Sequence, residues 1–430
     1  MSISLPCSED LMPKNALYAQ SGGVSAVINA SAWGVIEAVR GHPAHFGTCF
    51  AARNGILGVL NEELFDLNEE DPLTLASLRH TPGGAFGSCR FDLGDPVEDR
   101  YQYERLVEVF RAHDIGYFFY NGGGGSLDTA LKVSRMGDLM GYPITAVGVP
   151  KTIDNDLGYT DTSPGFGSAA KFIATTVREA SLDVESAHTT STRVFIIEVM
   201  GRHAGWLAAS AALAQEYDGR PPMIILFPEV PFDKGAFLTN LQMAIHCHGY
   251  CVVVAAEGLK NPDGTLLAVA QQHDVYAYTQ LGGVAPRLGE MVRDETGHKL
   301  HWSVVDYLQR AARHLGAKTD VEQAYAVGRA AVEGAVAGNK SFVPVIKRLS
   351  NQPYRWQIEQ VPLEQVANVE RGMPKEFISP DGYGITAACR DYLRPLIGGE
   401  DYPPFENGLP CYPRIRGVLL PQRCPPMARR

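Results

Sequence analysis

Ile144-Thr145-Ala146-Val147-Gly148-Val149-Pro150-Lys151-Thr152-Ile153-Asp154-Asn155-Asp156 changes character at Pro150, from an apolar run to a charged one. The apolar half is short and continuous, as expected of a strand buried on both faces of a parallel sheet. The charged half therefore falls at the carboxyl end of that strand, where open α/β sheets place their ligands. An ammonium beside two carboxylates is a poor structural device. It suits a site that holds phosphate, binds a cation and deprotonates a hydroxyl. Threonine, aspartate and asparagine also favour caps and turns, so taken alone the segment fits a solvated turn as well.

The same junction recurs on either side of it. Ala16 to Gln20 reads as a strand running into Ser21-Gly22-Gly23 and a helix from Val24 to Val39. Ile115 to Tyr120 runs into Asn121-Gly122-Gly123-Gly124-Gly125-Ser126 and a helix from Leu127 to Met136. Further strands, Arg193 to Met200, Met223 to Phe227 and Tyr250 to Ala256, end at Gly201-Arg202, Pro228-Glu229 and Glu257-Gly258. Strands alternating with helices predict α/β architecture, two Rossmann-like lobes with parallel sheets flanked by helices. A long helix, Ala169 to Ala187, is expected to carry the chain into the second lobe, and one helical region, Val304 to Ala337, to carry it back. Beyond Phe342 the periodicity weakens, which predicts an appended segment. The expected division is residues 14–168, completed by about 304–341, then 169–303, then an extension over 342–430.

Composition narrows the function classes. The 430 residues hold 38 Lys+Arg against 48 Asp+Glu, a net charge of −10, which argues against a nucleic-acid partner. No apolar run approaches membrane-spanning length, and the first residues lack a basic region followed by an apolar core. The eight cysteines form no C-x-x-C pair and no zinc spacing. These features predict a cytoplasmic protein acting on small molecules.

The two glycine-rich turns offer unblocked backbone N–H groups at helix starts, which is how phosphate is cradled. Neither matches the P-loop or the G-x-G-x-x-G pattern, which leaves a dinucleotide-dependent oxidoreductase without its fingerprint. Arg90, Arg193, Arg202 and Arg310 each stand beside a glycine turn or a strand end, and the fixed fork of a guanidinium suits phosphate.

In chain order, Gly22-Gly23 with Asn29, the turn before Ser126, Pro150-Lys-Thr-Ile-Asp-Asn-Asp156, Met200-Gly-Arg202, Ala256-Glu-Gly258 and Tyr307-Leu-Gln-Arg310 resemble the phosphofructokinase family, from about Ala16 to Ala337. The chain looks like the pyrophosphate-dependent branch. The resemblance implies reversible, magnesium-dependent phosphoryl transfer from pyrophosphate to the 1-hydroxyl of fructose 6-phosphate, by a homodimer or homotetramer. It implies Asp154 as general base, with Thr152 and Asn155 placing the hydroxyl and Asp156 near the metal. It implies Met200, Gly201, Arg202, Glu257, Tyr307 and Arg310 on the sugar phosphate, with Arg193 reaching it from a neighbouring subunit and Arg202 also steadying the transferring group. Gly22, Gly23, Arg90, Gly123, Gly124, Gly125, Ser126 and Lys151 are implied on the donor side.

Two donor markers disagree. Lysine before Thr-Ile-Asp-Asn-Asp marks pyrophosphate users in this family, where ATP users carry glycine; Lys151 is that lysine. Pyrophosphate users also carry an aspartate in the glycine-rich turn, which obstructs nucleotide and contributes to the metal shell. Gly124 and Gly125 leave this chain without it, and Asp128 is the nearest substitute in sequence. Pyrophosphate is the expected donor. An ATP-dependent enzyme or a weakly active, regulatory relative is the alternative.

Overall fold

The computed structural model describes residues 13–215, 219–273 and 279–427. In chain order its principal strands are β1 (Asn15–Gln20), β2 (Cys49–Ala52), β3 (Leu64–Asp66), β4 (Ile115–Gly122), β5 (Thr145–Pro150), β6 (Val194–Val199), β7 (Met223–Leu226), β8 (Cys251–Ala256), β9 (Val269–His273), β10 (Thr279–Leu281), β11 (Leu300–Val304), β12 (Phe342–Asn351) and β13 (Tyr354–Pro362). They form a seven-stranded sheet ordered β13-β12-β5-β4-β1-β2-β3, a four-stranded sheet ordered β11-β6-β8-β7, and the small β9–β10 hairpin. The four-stranded sheet is parallel throughout, and β1, β2, β4 and β5 are parallel in the first.

Side chains alternate across β1 with period two. Leu17 and Ala19 pack with Phe110, Leu127 and Ala130 on one face, while Ala16 and Tyr18 pack with Val35, Val39 and Val327 on the other. The second sheet is covered in the same way, by two further apolar clusters. Burial on both faces is why these strands are continuous apolar runs, as in Cys251–Ala256, where every residue is buried. The helices Ile28–Gly41 and Lys318–Val336 press together through small residues. A Cβ on Gly34 would stand 2.3 Å from the Tyr325 carbonyl oxygen, and one on Gly328 2.1 Å from that of Ser31. Alanine at either position would force the helices apart.

Two expectations need correction. Val304 to Ala337 is not one helix: β11 ends at Val304, Asp306 turns with φ 41°, a single turn spans Leu308–Ala311, and the long helix starts only at Lys318. The break is held by Arg313, fully buried, whose guanidinium donates to the carbonyls of Arg79 and Asp401. The stretch from 342 is also more than an appendage at its start. Phe342 pairs with Val147 of β5, and β12 and β13 pair antiparallel, so the hairpin extends the first sheet. Its alternation is faint because β13 is the edge strand and the distal half of β12 pairs only with it, so polar side chains in solvent blur the pattern there.

In the first sheet the chain winds outward from β1 through β2 to β3, and in the opposite direction from β4 to β5. The crevice beyond the carboxyl ends of β1 and β4 is therefore the topological switch point. Both glycine-rich turns and Lys151 open into it.

Candidate active site

Gly22, with φ +73°, reverses the chain after β1, and Lys151 lies beneath that turn. Lys151 is 4% exposed, and its Nζ donates to the Gly23 carbonyl oxygen at 2.5 Å. A Cβ on Gly23 would meet Arg310 Nη1 at 2.6 Å and Arg90 Nη2 at 3.5 Å, so two guanidinium groups converge on this glycine. Asn29, fully buried in the following helix, donates to the carbonyls of Thr81 and Gly83 and accepts from the Ala85 N–H and the Gln20 amide. It thereby fixes the loop leading to Arg90. Across the crevice, Gly123 caps the helix Gly124–Leu139, Ser126 is buried, and a Cβ on Gly123 would lie 3.6 Å from the Lys151 carbonyl oxygen. Three cations and an open helix start thus surround a space suited to a short polyanion.

The Arg310 guanidinium stacks on the Tyr307 ring at 3.8 Å and reaches the Gly23 turn, beside Arg90 and Lys151. The turn Leu308–Ala311 places it there by following β11 directly.

The loop after β5 is braced from within. Thr152 Oγ1 accepts from the Asp154 N–H at 3.1 Å, and the Thr152 hydroxyl near Asp156 partly offsets the rise that burial causes in that acid's pKa. Asn155, implied to place the sugar hydroxyl, instead points inward. It has φ 55° and is fully buried; its Nδ2 donates to Tyr392 Oη at 2.8 Å and its Oδ1 accepts from the Ser163 N–H at 3.0 Å. Its amide holds the loop, and the left-handed backbone at this residue turns the flanking acids outward.

The brace comes from the C-terminal segment, which packs on the loop from residues 370–392. Arg371 donates its backbone N–H to the Asp156 carbonyl at 2.6 Å and its guanidinium to the carbonyls of Asn155, Thr160 and Asp161. Glu370 pairs with His203 at 2.9 Å and faces Asp156 closely enough to raise its pKa. Tyr392 Oη, while accepting from Asn155, donates to the Asp161 carbonyl at 2.6 Å. Removing that hydroxyl by Tyr392→Phe leaves the buried Asn155 amide short of an acceptor, at a cost of roughly 1–3 kcal/mol. The expected result is a lower thermal unfolding midpoint; a midpoint equal to that of the natural protein would contradict the bracing role.

On the opposite wall, β6 leads into Met200 and Gly201, the latter with φ +140°, a backbone angle that L side chains rarely adopt. A Cβ on Gly258 would stand 2.0 Å from the Arg202 carbonyl oxygen, so the Glu257-Gly258 turn packs directly on Arg202. Burial raises the pKa of Glu257, with Glu198 and Asp306 adding to it, while a backbone hydrogen bond from Gly201 and the charge of Arg202 pull it down. Arg202 is half-buried and Tyr307 largely exposed. Arg193 does not join this crevice: it precedes β6, whereas Met200 follows it, and a strand of that length separates them by about 20 Å.

Charge ties the walls together. Burial pushes Asp154 up to about 7, with Asp156 and Glu257 raising it further and Lys151 and Arg90 opposing. Burial brings Lys151 down to about 8, helped by Arg310 and Arg90 and opposed by Asp154 and Asp156. That Glu257 acts on Asp154 places the acids of the two lobes within each other's field. A carboxylate near neutrality beside a buried ammonium is the arrangement of a proton-transfer site that handles phosphate.

Asp156 offers hard oxygen to a divalent cation, and the nearby Glu370 charge is a repulsion such a cation would relieve. Among the described residues no group of three or more His, Cys, Asp or Glu is gathered for a metal. The donor set fits an ion that shares its coordination with substrate phosphates and water. Asp128 is engaged elsewhere, paired with Lys132 at 2.9 Å.

Comparison with known proteins agrees with this geometry. The sequence profile of the family described as Phosphofructokinase matches residues 15–335. The pyrophosphate–fructose 6-phosphate 1-phosphotransferase of Halomonas elongata is 59% identical over 411 residues, spanning 96% of this chain and 98% of that protein. That of Methylococcus capsulatus is 56% identical over 95% of this chain and 98% of its own length. The crystal structure of the pyrophosphate-dependent phosphofructokinase from Nitrosospira multiformis superposes with a TM-score of 0.90 at 54% identity, covering 96% of this chain and all of that one.

Proposed function

This chain belongs to the phosphofructokinase family, and on that premise we propose that it transfers a phosphoryl group reversibly from pyrophosphate to the 1-hydroxyl of fructose 6-phosphate. The observation that carries the reading is Lys151, buried beneath the Gly22–Gly23 turn and next to Asp154. A fixed ammonium beneath that turn suits a compact diphosphate.

Asp154 accepts the proton of the 1-hydroxyl as its oxygen attacks the terminal phosphorus. The bridging P–O bond breaks, and orthophosphate leaves with the bond's electron pair. In the reverse direction protonated Asp154 returns the proton to the sugar oxygen. A pKa raised to about 7 by burial brings the group near neutral pH, where a general base and acid works best. Arg202 and Lys151 stand to offset charge on the transferring group, and Arg90 and Arg310 to hold the diphosphate. Glu257 is placed to accept from sugar hydroxyls, with Met200 and Gly201 shaping that wall. Magnesium is the proposed ion, held by Asp156 and substrate oxygens; when bound it neutralises phosphate charge. The donor lobe we assign is 14–168 with the returning helix and the β12–β13 hairpin, facing a sugar lobe over 169–303.

We also propose a homodimer or homotetramer. β11 is an open edge strand that leaves Trp302 43% and Val304 46% exposed, with Tyr307 and Leu308 beyond. Arg193 lies alongside, where a second copy would receive it at the sugar phosphate. No helix among the described residues is long and apolar enough to cross a membrane, and the seven described cysteines are free, in keeping with a cytoplasmic setting.

Rates with pyrophosphate and with ATP, each measured against pH, test the assignment. Asp154 must be ionised and Lys151 protonated, so kcat/KM for pyrophosphate is expected to fall below about pH 7 and above about pH 8. Turnover with ATP alone would sink the donor assignment.

A further inference from the structure

Asp92 stands two residues beyond Arg90, exposed at the mouth of the donor pocket. A Cβ on Gly125, the second residue of the helix Gly124–Leu139, would meet Asp92 Oδ1 at 3.3 Å before any other group. At Gly22 and Gly23 the corresponding neighbours are Lys151, Arg310 and Arg90, and at Gly123 the Lys151 backbone. The first glycine-rich turn therefore faces an ammonium and two guanidinium groups, whereas the first turn of the helix across the crevice faces a carboxylate.

That contrast has a physical consequence for the donor. Two phosphates match the cationic interior. A phosphate chain that continues further must leave past Gly124 and Gly125, which themselves offer no obstruction, and there it meets Asp92. Like charges in a partly desolvated mouth repel, and selection against a longer competitor is commonly built from such a repulsive group.

We propose that Asp92 is a donor-selecting residue: its carboxylate, lodged against Gly125, supplies the negative charge that the all-glycine turn lacks and disfavours donors with a phosphate chain longer than that of pyrophosphate. The inference rests on the pyrophosphate assignment above. It also changes what an acidic residue in the turn would do in this chain. Gly125→Asp on its own sets a second carboxylate against Asp92, and two adjacent acids weaken binding of any polyanion.

The test uses the full-length protein and its Asp92→Asn variant, which keeps the side chain's shape and removes its charge. The ratio of kcat/KM for ATP to that for pyrophosphate is expected to rise at least about tenfold, equivalent to about 1.4 kcal/mol. ATP titrated calorimetrically without sugar, a readout independent of turnover, is expected to bind about tenfold more tightly, the same free-energy difference. Adding Gly125→Asp to Asp92→Asn returns the charge to the same place from the other side and is expected to restore the natural preference. If the natural protein runs on pyrophosphate and Asp92→Asn changes neither the ratio nor ATP affinity by more than about twofold, within measurement scatter of the free-energy scale, the inference is overturned. A natural protein that prefers ATP overturns the pyrophosphate reading itself, whatever Asp92→Asn does.

Discussion

Asp154→Asn is expected to lower kcat roughly a hundredfold to ten-thousandfold, the span that a single general base supplies. The amide keeps the shape of the carboxylate, and the backbone bond from Asp154 N–H to Thr152 Oγ1 is untouched, so the KM values should move far less than kcat. The same substitution should raise the thermal unfolding midpoint. An acid whose pKa rises on folding contributes stability that is complete below its unfolded value, near 3.8, and is lost as pH climbs through its folded value, about 7. The natural protein therefore carries a buried negative charge above pH 7 that asparagine removes. The stabilisation should be clear at pH 8 and vanish near pH 4. Kinetics and melting curves at the two pH values check both halves. A variant with kcat within about tenfold of the natural enzyme would remove Asp154 from the role of base.

Lys151→Met is the second large effect. Methionine fills the buried site without its charge, so the packing under Gly22 is kept while the ammonium is lost. Removing a desolvated, hydrogen-bonded cation from a polyanion site costs about 2–5 kcal/mol, so kcat/KM for pyrophosphate should fall between roughly thirtyfold and several thousandfold. The pH profile carries a separate signature. Lys151 lowers the pKa of Asp154, so without it the acid limb should move to higher pH, and the alkaline limb near pH 8 should disappear. Unchanged pyrophosphate kinetics in this variant would end the case for a diphosphate donor.

Much of the frame was legible along the chain. Runs such as Cys251–Ala256 and Thr145–Pro150 are apolar at every position because parallel strands are buried on both faces, and that burial leaves its mark residue by residue. The two glycine-rich turns, and the acids after β5, stand at strand ends, and a parallel sheet gathers strand ends on one side. Lys151 and Asp154 were therefore placed by topology alone. The β12–β13 hairpin and the break before Lys318 were harder to read, since an edge strand and a turn pinned by a buried arginine depend on partners more than a hundred residues distant.

Local sequence determined which chemical groups enter the crevice: a base, a buried cation, and arginines at the turns. Which way those groups face was decided only in three dimensions. Asn155 turns inward because Tyr392 and the Ser163 N–H take up its amide. Arg310 reaches the first glycine-rich turn because Gly23 leaves room for its guanidinium. Glu370 and Asp92 reach the site from segments with no periodic signature, and the two lobes' acids acquire their shifted protonation only when brought into one another's field. Side-chain type is written in a single position, but direction and charge environment are sums over neighbours that folding alone assembles.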